Sequence, residues 1–320
     1  MQMKEDRISK LPDPILHQIL SSINLKHAVQ TSTLSKRWKH VWSSLPNLNF
    51  NYTTLDQIKC VSILMRSLYD TKFMPHFTNF ATQFLSNRDH ASAISKFQLT
   101  SNETGTDSRF VEKCIEYAIR HGVQELDLDT YCSPTPIKFP VGLFTSRTLK
   151  VLKVKQYTNS LVVPKPFVLP NIKTLYLDSF NFIDGDDLYS FTKEPFSSFD
   201  NLEELTLHNC EIDGMIISGL KLRNLEISFQ HMLFSREKKM ESIKTPRLKS
   251  FKYKGYVSLV CSVMDIPCLE EVYFDLFANL EPPYTDEIQK KMPPNLIRML
   301  KQLGNAKFVT LTLHTIEVLC

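Results

Sequence analysis

The sequence predicts an α/β protein: a small unit of three N-terminal helices, followed by a solenoid whose repeats each place one strand in a strand-lined horseshoe. Three observations carry this prediction. Apolar residues at helical spacing, with both tryptophans of the chain, crowd the first fifty residues. From residue 94 onward the pattern Leu-x-x-Leu-x-Leu recurs nine times, with other apolar residues substituting. The intervals between its central residues are mostly 20 to 30 residues, the period of a repeat built from one strand and one return segment.

The first helix opens at Leu11-Pro12-Asp13-Pro14. Asp13 is expected to cap the free N–H groups, and Pro14 suits the first turn because it has no N–H to leave unpaired. Ile15, Leu16, Ile19, Leu20 and Ile23 follow on one broad stripe, and Asn24 reads as the stop. A second helix fits Leu25 to Thr31. A third fits Leu34 to Ser43, with Leu34, Trp38, Val41 and Trp42 on one face. So few residues bury little surface alone, so the apolar side needs a partner, and the tryptophans are expected to anchor it.

Residues 51–93 read as a helical connector: a helix over Leu55 to Tyr69, then the aromatic patch Phe73, Phe77, Phe80 and Phe84. No Gly/Ser run gives it the composition of a flexible linker.

The repeats, spanning 94–320, have central residues Phe97, Leu126, Leu152, Leu175, Leu205, Leu225, Phe251, Val272 and Leu311, separated by 29, 26, 23, 30, 20, 26, 21 and 39. The last interval is expected to hold an inserted helix over Asn295 to Leu303. Alternation turns the fourth and sixth positions of each pattern inward and leaves the third, fifth and seventh on the opposite face. Pro170, Pro246 and Pro267 stand just ahead of strands, where a missing N–H is tolerated. Cys210 falls at the turn position of its repeat and reads as a buried thiol.

Composition narrows the function. The N-terminus is polar and mixed in charge, unlike a secretory signal. The most apolar window, Val257 to Met264, is far shorter than a bilayer-spanning helix. A soluble, intracellular protein, nuclear and/or cytoplasmic, is expected. The seven cysteines form no Cys-x-x-Cys pair, which argues against a zinc site or a disulfide framework. The sequons at Asn51 and Asn102 then read as chance matches. Residues 1–50 carry seven Lys/Arg against three Asp/Glu, and the remaining 270 carry 31 of each. A body without basic excess is not expected to bind nucleic acid.

Signatures of catalysis are missing from the sequence: no Gly-rich phosphate loop, nucleophile elbow or His-Glu-x-x-His motif occurs. Asp184-Gly185-Asp186-Asp187 lacks the alternating ligands of a calcium loop and reads as a surface turn. Neither an enzymatic role nor a metal or other cofactor is expected.

The string Asp6-Arg7-Ile8-Ser9-x-Leu11-Pro12-Asp13, then Ile19-Leu20-Ser21, Ala28-Val29, Leu34-Ser35-Lys36-Arg37-Trp38 and Trp42 resembles a plant F-box over residues 5–50. Phe84-Leu85-Ser86-x-Arg88-Asp89 and the repeat lines at Val123 and Leu143 extend the resemblance to plant F-box proteins with leucine-rich repeats. The sequence departs from that pattern at Asn24, where the family usually has proline, and at Pro14, where it usually has an acid. Many relatives continue into a further C-terminal domain, the FBD, that this chain does not show, so a short form or a truncation is expected.

The resemblance implies a substrate receptor of a Skp-cullin-F-box ubiquitin ligase. Leu11, Pro12, Ile15, Leu16, Ile19, Leu20, Val29, Leu34 and Trp38 would dock a Skp-type adaptor, and through it a cullin, with Lys36, Arg37 and Lys39 at the rim. The repeats would hold a protein substrate on their concave face. Lys153, Lys155, Tyr176, His208, Lys252, Lys254 and Tyr273 are the candidate target-binding residues there. The rival reading is a repeat scaffold that binds a partner without ligase recruitment, its N-terminal helices serving as a cap.

Overall fold

The computed structural model describes residues 8, 10–55, 63–101, 106–130, 137–156, 161–163, 166–182, 193–229, 238–255, 259–276 and 285–319. Side chains are described at these positions except 54–55, 63–73, 161, 238, 285–293 and 318–319. The Asp184 turn, the Asn102 sequon and Cys60, Cys132 and Cys320 lie outside the described residues. The chain divides into two compact units, Met1–Leu143 and Phe144–Cys320.

The first unit begins with α1 (Asp13–Ser21), α2 (Leu25–Gln30) and the single turn α3 (Trp38–Val41). Two details of the helix ends differ from expectation. Asp13 makes no capping bond; the cap position falls on Pro12, and the Asp13 carboxylate instead pairs with the Arg37 guanidinium. Asn24 does not stop α1 but starts α2, its Oδ1 accepting from the His27 N–H at 2.9 Å. The third helix is also shorter than the spacing predicted. Thr31 and Thr33 each donate a hydroxyl to the carbonyl three residues back, which holds the chain in tight turns before Trp38.

Next comes β1 (Asn47–Asn51), then α4 (Tyr52–Leu55), α5 (Ile63–Asn87), β2 (Lys96–Ser101), α6 (Ser108–Arg120), β3 (Glu125–Thr130) and the short α7 (Val141–Phe144). β1, β2 and β3 pair in parallel, with Leu48 beside Phe97 and Phe97 beside Leu126. The sheet therefore starts at Leu45-x-x-Leu48-x-Phe50, not at Ile94. Residues 56–62 of the first expected helix lie outside the described residues; from Ile63 it is continuous with the aromatic patch in α5, which runs through Pro75. Its inner side closes an aromatic core: Phe50 lies 5.5 Å from Phe84 and 5.6 Å from Phe97, and Phe77 lies 5.7 Å from Tyr52 and 6.0 Å from Phe110.

The second unit contains β4 (Val151–Gln156), β5 (Leu161–Val162), β6 (Thr174–Asp178), β7 (Phe180–Asn181), β8 (Glu204–His208), β9 (Ile216–Ser218), β10 (Asn224–Ser228), β11 (Lys238–Lys244), β12 (Ser250–Gly255), β13 (Leu259–Asp265), β14 (Glu271–Leu276), α8 (Thr285–Gln302), β15 (Phe308–Leu311) and α9 (Leu313–Leu319). The strands β4, β6, β8, β10, β12, β14 and β15 lie side by side in sequence order, all parallel. Return segments pair as well, in a three-stranded sheet ordered β13-β11-β9 and a β5–β7 pair. A strand, a turn and a second, outer strand in one repeat explain why those return segments carry no helical periodicity.

Register confirms the inward positions. Leu175, Leu205, Leu225, Phe251 and Val272 form one buried row, and Leu177, Leu207, Ile227, Tyr253 and Phe274 the next. Cys210 is buried as expected, its thiol directed at the carbonyls of Leu177 (3.4 Å) and His208 (3.3 Å). The last repeat is offset from the predicted one. Val309 pairs with Val272 and Leu311 with Phe274, so the pattern there is Ala306-x-x-Val309-x-Leu311, and Leu313 begins α9 with its side chain exposed. A shift of two residues preserves the alternation, so periodicity could not distinguish the two registers. The inserted helix is longer than predicted, and its Leu296, Met299 and Leu303 are buried.

Candidate functional site

Two surfaces carry the residues that the sequence singled out. The first is formed by the N-terminal helices, and the structure divides the nine-residue set in two. Leu16 (0% exposed), Leu20 and Trp38 (5%) point into the unit's own core with Leu25, Ala28, Val41 and Leu45. Of the nine residues expected to make the adaptor contact, these three therefore present no exposed side chain. Trp42 is spent internally too: its ring lies 5.1 Å from Phe84 and its indole N–H donates to the Lys39 carbonyl. Ile15 (42% exposed), Ile19 (41%), Leu34 (68%) and Pro12 face solvent, while Leu11 and Val29 are half-buried.

α1 is therefore apolar on two adjacent stripes. The leucines at 16 and 20 face inward, and the isoleucines at 15 and 19, followed at the same spacing by Ile23, face outward. Ile8 is exposed as well. These exposed apolar side chains are not covered by the chain's own described residues. The sequence merged both stripes into one face, because positions 15, 16, 19, 20 and 23 all fit a single broad apolar stripe. On the polar rim, Arg37 is engaged twice, by Asp13 and by the Leu11 carbonyl (2.9 Å), whereas Lys36 and Lys39 are exposed.

The second surface is the outer face of the parallel sheet in the second unit. Here register places Lys153, Tyr176, Thr206, Glu226, Lys252 and Tyr273 in one row across neighbouring strands. Asp178, His208, Ser228, Lys254 and Asp275 make the adjoining row. Lys155 follows Lys153 at the next outward position of β4, and its ammonium sits 5.6 Å from the Tyr176 ring centre.

Several of these side chains are tied to each other. Lys254 pairs with Glu226 at 3.2 Å and lies 5.8 Å above the Tyr273 ring. His208 Nδ1 lies 2.9 Å from the Asp178 carboxylate and 3.1 Å from the Tyr176 hydroxyl. Asp178 also accepts from Asn209 Nδ2 (3.2 Å) and from the Ser179 hydroxyl (2.9 Å). Its role as the hub of this cluster was missed, because nothing in a strand sequence tells which carboxylate its neighbours will reach. Lys153 and Lys252 make no ion pair among the described residues.

The buried thiols of Cys114 and Cys210 are poor nucleophiles. Burial pushes Cys114 and Cys210 up to about 12, and Cys210 lies buried in the turn after β8.

The chain thus combines N-terminal helices that carry an outward isoleucine stripe with parallel strands at leucine-rich-repeat spacing. A family model described as an F-box domain matches residues 8–50. Over nearly its whole length the chain is a homologue of plant F-box/LRR-repeat proteins. An F-box/LRR-repeat protein of Arabidopsis thaliana is 30% identical over 325 residues, covering 98% of this chain and 64% of the relative. A second from the same plant is 28% identical, covering 98% of this chain and 67% of the relative. An F-box/FBD/LRR-repeat protein, also of Arabidopsis thaliana, is 28% identical, covering 86% and 62%. The chain thus spans about two thirds of the length of the curated relatives it matches. No solved structure matches it. Among the described residues no helix is long and apolar enough to cross a membrane.

Proposed function

We propose that the chain is a non-catalytic substrate receptor: the F-box docks a Skp-type adaptor, and through it a cullin, while the repeat body holds a protein destined for ubiquitination. The observation that carries this reading is the exposed isoleucine stripe of α1, which lies beside a complete leucine core instead of being part of it. A mere cap for the repeats would need one apolar side, and α1 has two. Ile15, Ile19, Leu34 and Pro12 would make the adaptor contact, with Leu11 and Val29 at its edge. The outer sheet face, led by Lys153, Lys252 and Tyr273, would take the target, with Lys155, Tyr176, His208 and Lys254 shaping it.

Co-expression with a Skp-type adaptor tests the proposal. Wild-type chain should co-purify with the adaptor, and an Ile15→Asp, Ile19→Asp, Leu34→Asp variant should not, with an unchanged melting transition. A folded wild-type chain that captures no adaptor overturns the ligase reading and leaves a repeat scaffold.

A further inference from the structure

The first unit contains a cavity of about 780 Å³, walled by the last turns of α5, the turn at residues 90–93 and one face of α6. None of its lining residues falls within residues 8–50, so it is separate from the adaptor surface. From its walls, we infer that it is a binding site for a small aromatic carboxylic acid.

The volume falls in the range of roughly 300–1,000 Å³ that small-molecule sites occupy. The helical spacing of α6 then decides its chemistry. Phe110, Lys113, Tyr117, Arg120 and, just beyond the helix, His121 all line the cavity, at intervals of three or four residues. Tyr117 and His121 stack with ring centres 4.0 Å apart, and the His121 ring is fixed by contact of its Nδ1 with the Tyr117 carbonyl at 2.8 Å. His90 approaches the same pair at 6.3 Å and 6.0 Å from the opposite wall. Such rings offer flat faces to a planar guest.

The charge is one-sided. Lys113 and Arg120 are exposed at the rim, neither has an ion-pair partner among the described residues, and no Asp or Glu lines the cavity. Two uncompensated cations beside an aromatic wall fit a carboxylate carried on a flat apolar body. Tyr117 contributes its ring and not its hydroxyl, which is shut off from water and so from a guest.

The test uses 2-naphthoate as probe on the full-length chain, by calorimetry and ligand-observed NMR, with 2-naphthalenemethanol as the neutral counterpart. Two variants change exposed positions only: Lys113→Gln with Arg120→Gln, and Ala91→Trp, which plugs the mouth. The naphthoate should bind saturably at one site. The alcohol and the charge-neutralised variant should each be weaker by about tenfold, and Ala91→Trp should abolish binding without lowering the melting temperature. Absence of saturable binding overturns the inference. So does binding that the alcohol matches or that survives both variants.

Discussion

Arg88 Nη2 donates at 3.0 Å to the carbonyl oxygen of Leu45, a residue 43 positions earlier in the chain. The same guanidinium reaches the carbonyls of Ala93 (3.0 Å), Ser92 (2.6 Å) and Asp89 (3.2 Å), and the residue is almost fully buried. One planar cation thus joins the end of α5 to the chain entering β1. Replacing it with leucine strands the carbonyls of Leu45, Ser92 and Ala93, since that of Asp89 still accepts from the Ser92 N–H, and should cost about 3 kcal/mol in urea unfolding. Arg88→Lys should recover little, because a single ammonium cannot reproduce the fork. A variant as stable as wild type would show that the clamp does not contribute.

The two stripes of α1 should separate stability from binding. Leu16→Ala and Trp38→Ala open cavities in the small N-terminal core and should each cost about 2–5 kcal/mol. Ile15→Ala and Leu34→Ala should change unfolding free energy by less than about 1 kcal/mol, since their side chains are already wet. A Trp38 variant is therefore unsuitable for testing adaptor binding, although the sequence string suggests it first. Equal costs on both stripes, measured by denaturation, would count against this division.

Asp178 accepts three side-chain bonds from the protein beneath the outer sheet face. Asp178→Ala should destabilise the chain by about 2 kcal/mol, and the His208 ring resonances should shift as the ring loses its anchor. An unshifted His208 spectrum would dissociate the cluster.

Thiol reactivity should follow burial. In the native protein iodoacetamide should modify exposed Cys268 readily, while Cys114 and Cys210 react only on unfolding, since desolvation keeps their thiols protonated. Peptide mass spectrometry assigns each site. Fast native labelling of Cys210 would contradict its placement under the sheet.

Glu270 stands between Lys249 at 3.5 Å and Lys307 at 3.4 Å, and their charges hold its carboxyl below the ordinary glutamate value. A depressed folded-state value means the stabilisation is present above the ordinary carboxylate range and is lost as pH falls through the depressed one. An NMR titration of Glu270 should show the value rise in a Lys249→Gln, Lys307→Gln variant. No change would remove the lysines as its cause.

Much of the architecture was legible because it rests on local geometry. Eight of the nine predicted repeats place their central residues, from Phe97 to Val272, at buried strand positions as the spacing implied. The ninth failed by two residues at Val309, since alternation looks identical after such a slip. The opening strand at Leu48 and Phe50 carries the same pattern, but it was hidden between the F-box string and the connector. Asp13 does not cap α1, because the cap position falls on Pro12 and its carboxylate pairs with the distant Arg37, and Asn24 begins α2 where the sequence suggested only an end to α1.

By itself, then, the sequence determined that helices precede parallel strands, and which strand positions face the core. A period near 3.6 or of 2 is a property of consecutive residues. Tertiary structure alone decided that leucines 16 and 20 face in while isoleucines 15 and 19 face out, that both tryptophans turn inward or onto Phe84, and that Asp178 gathers His208 and Asn209. Those outcomes depend on where segments distant in the chain come to rest, and no periodicity along one segment encodes its neighbour across the fold.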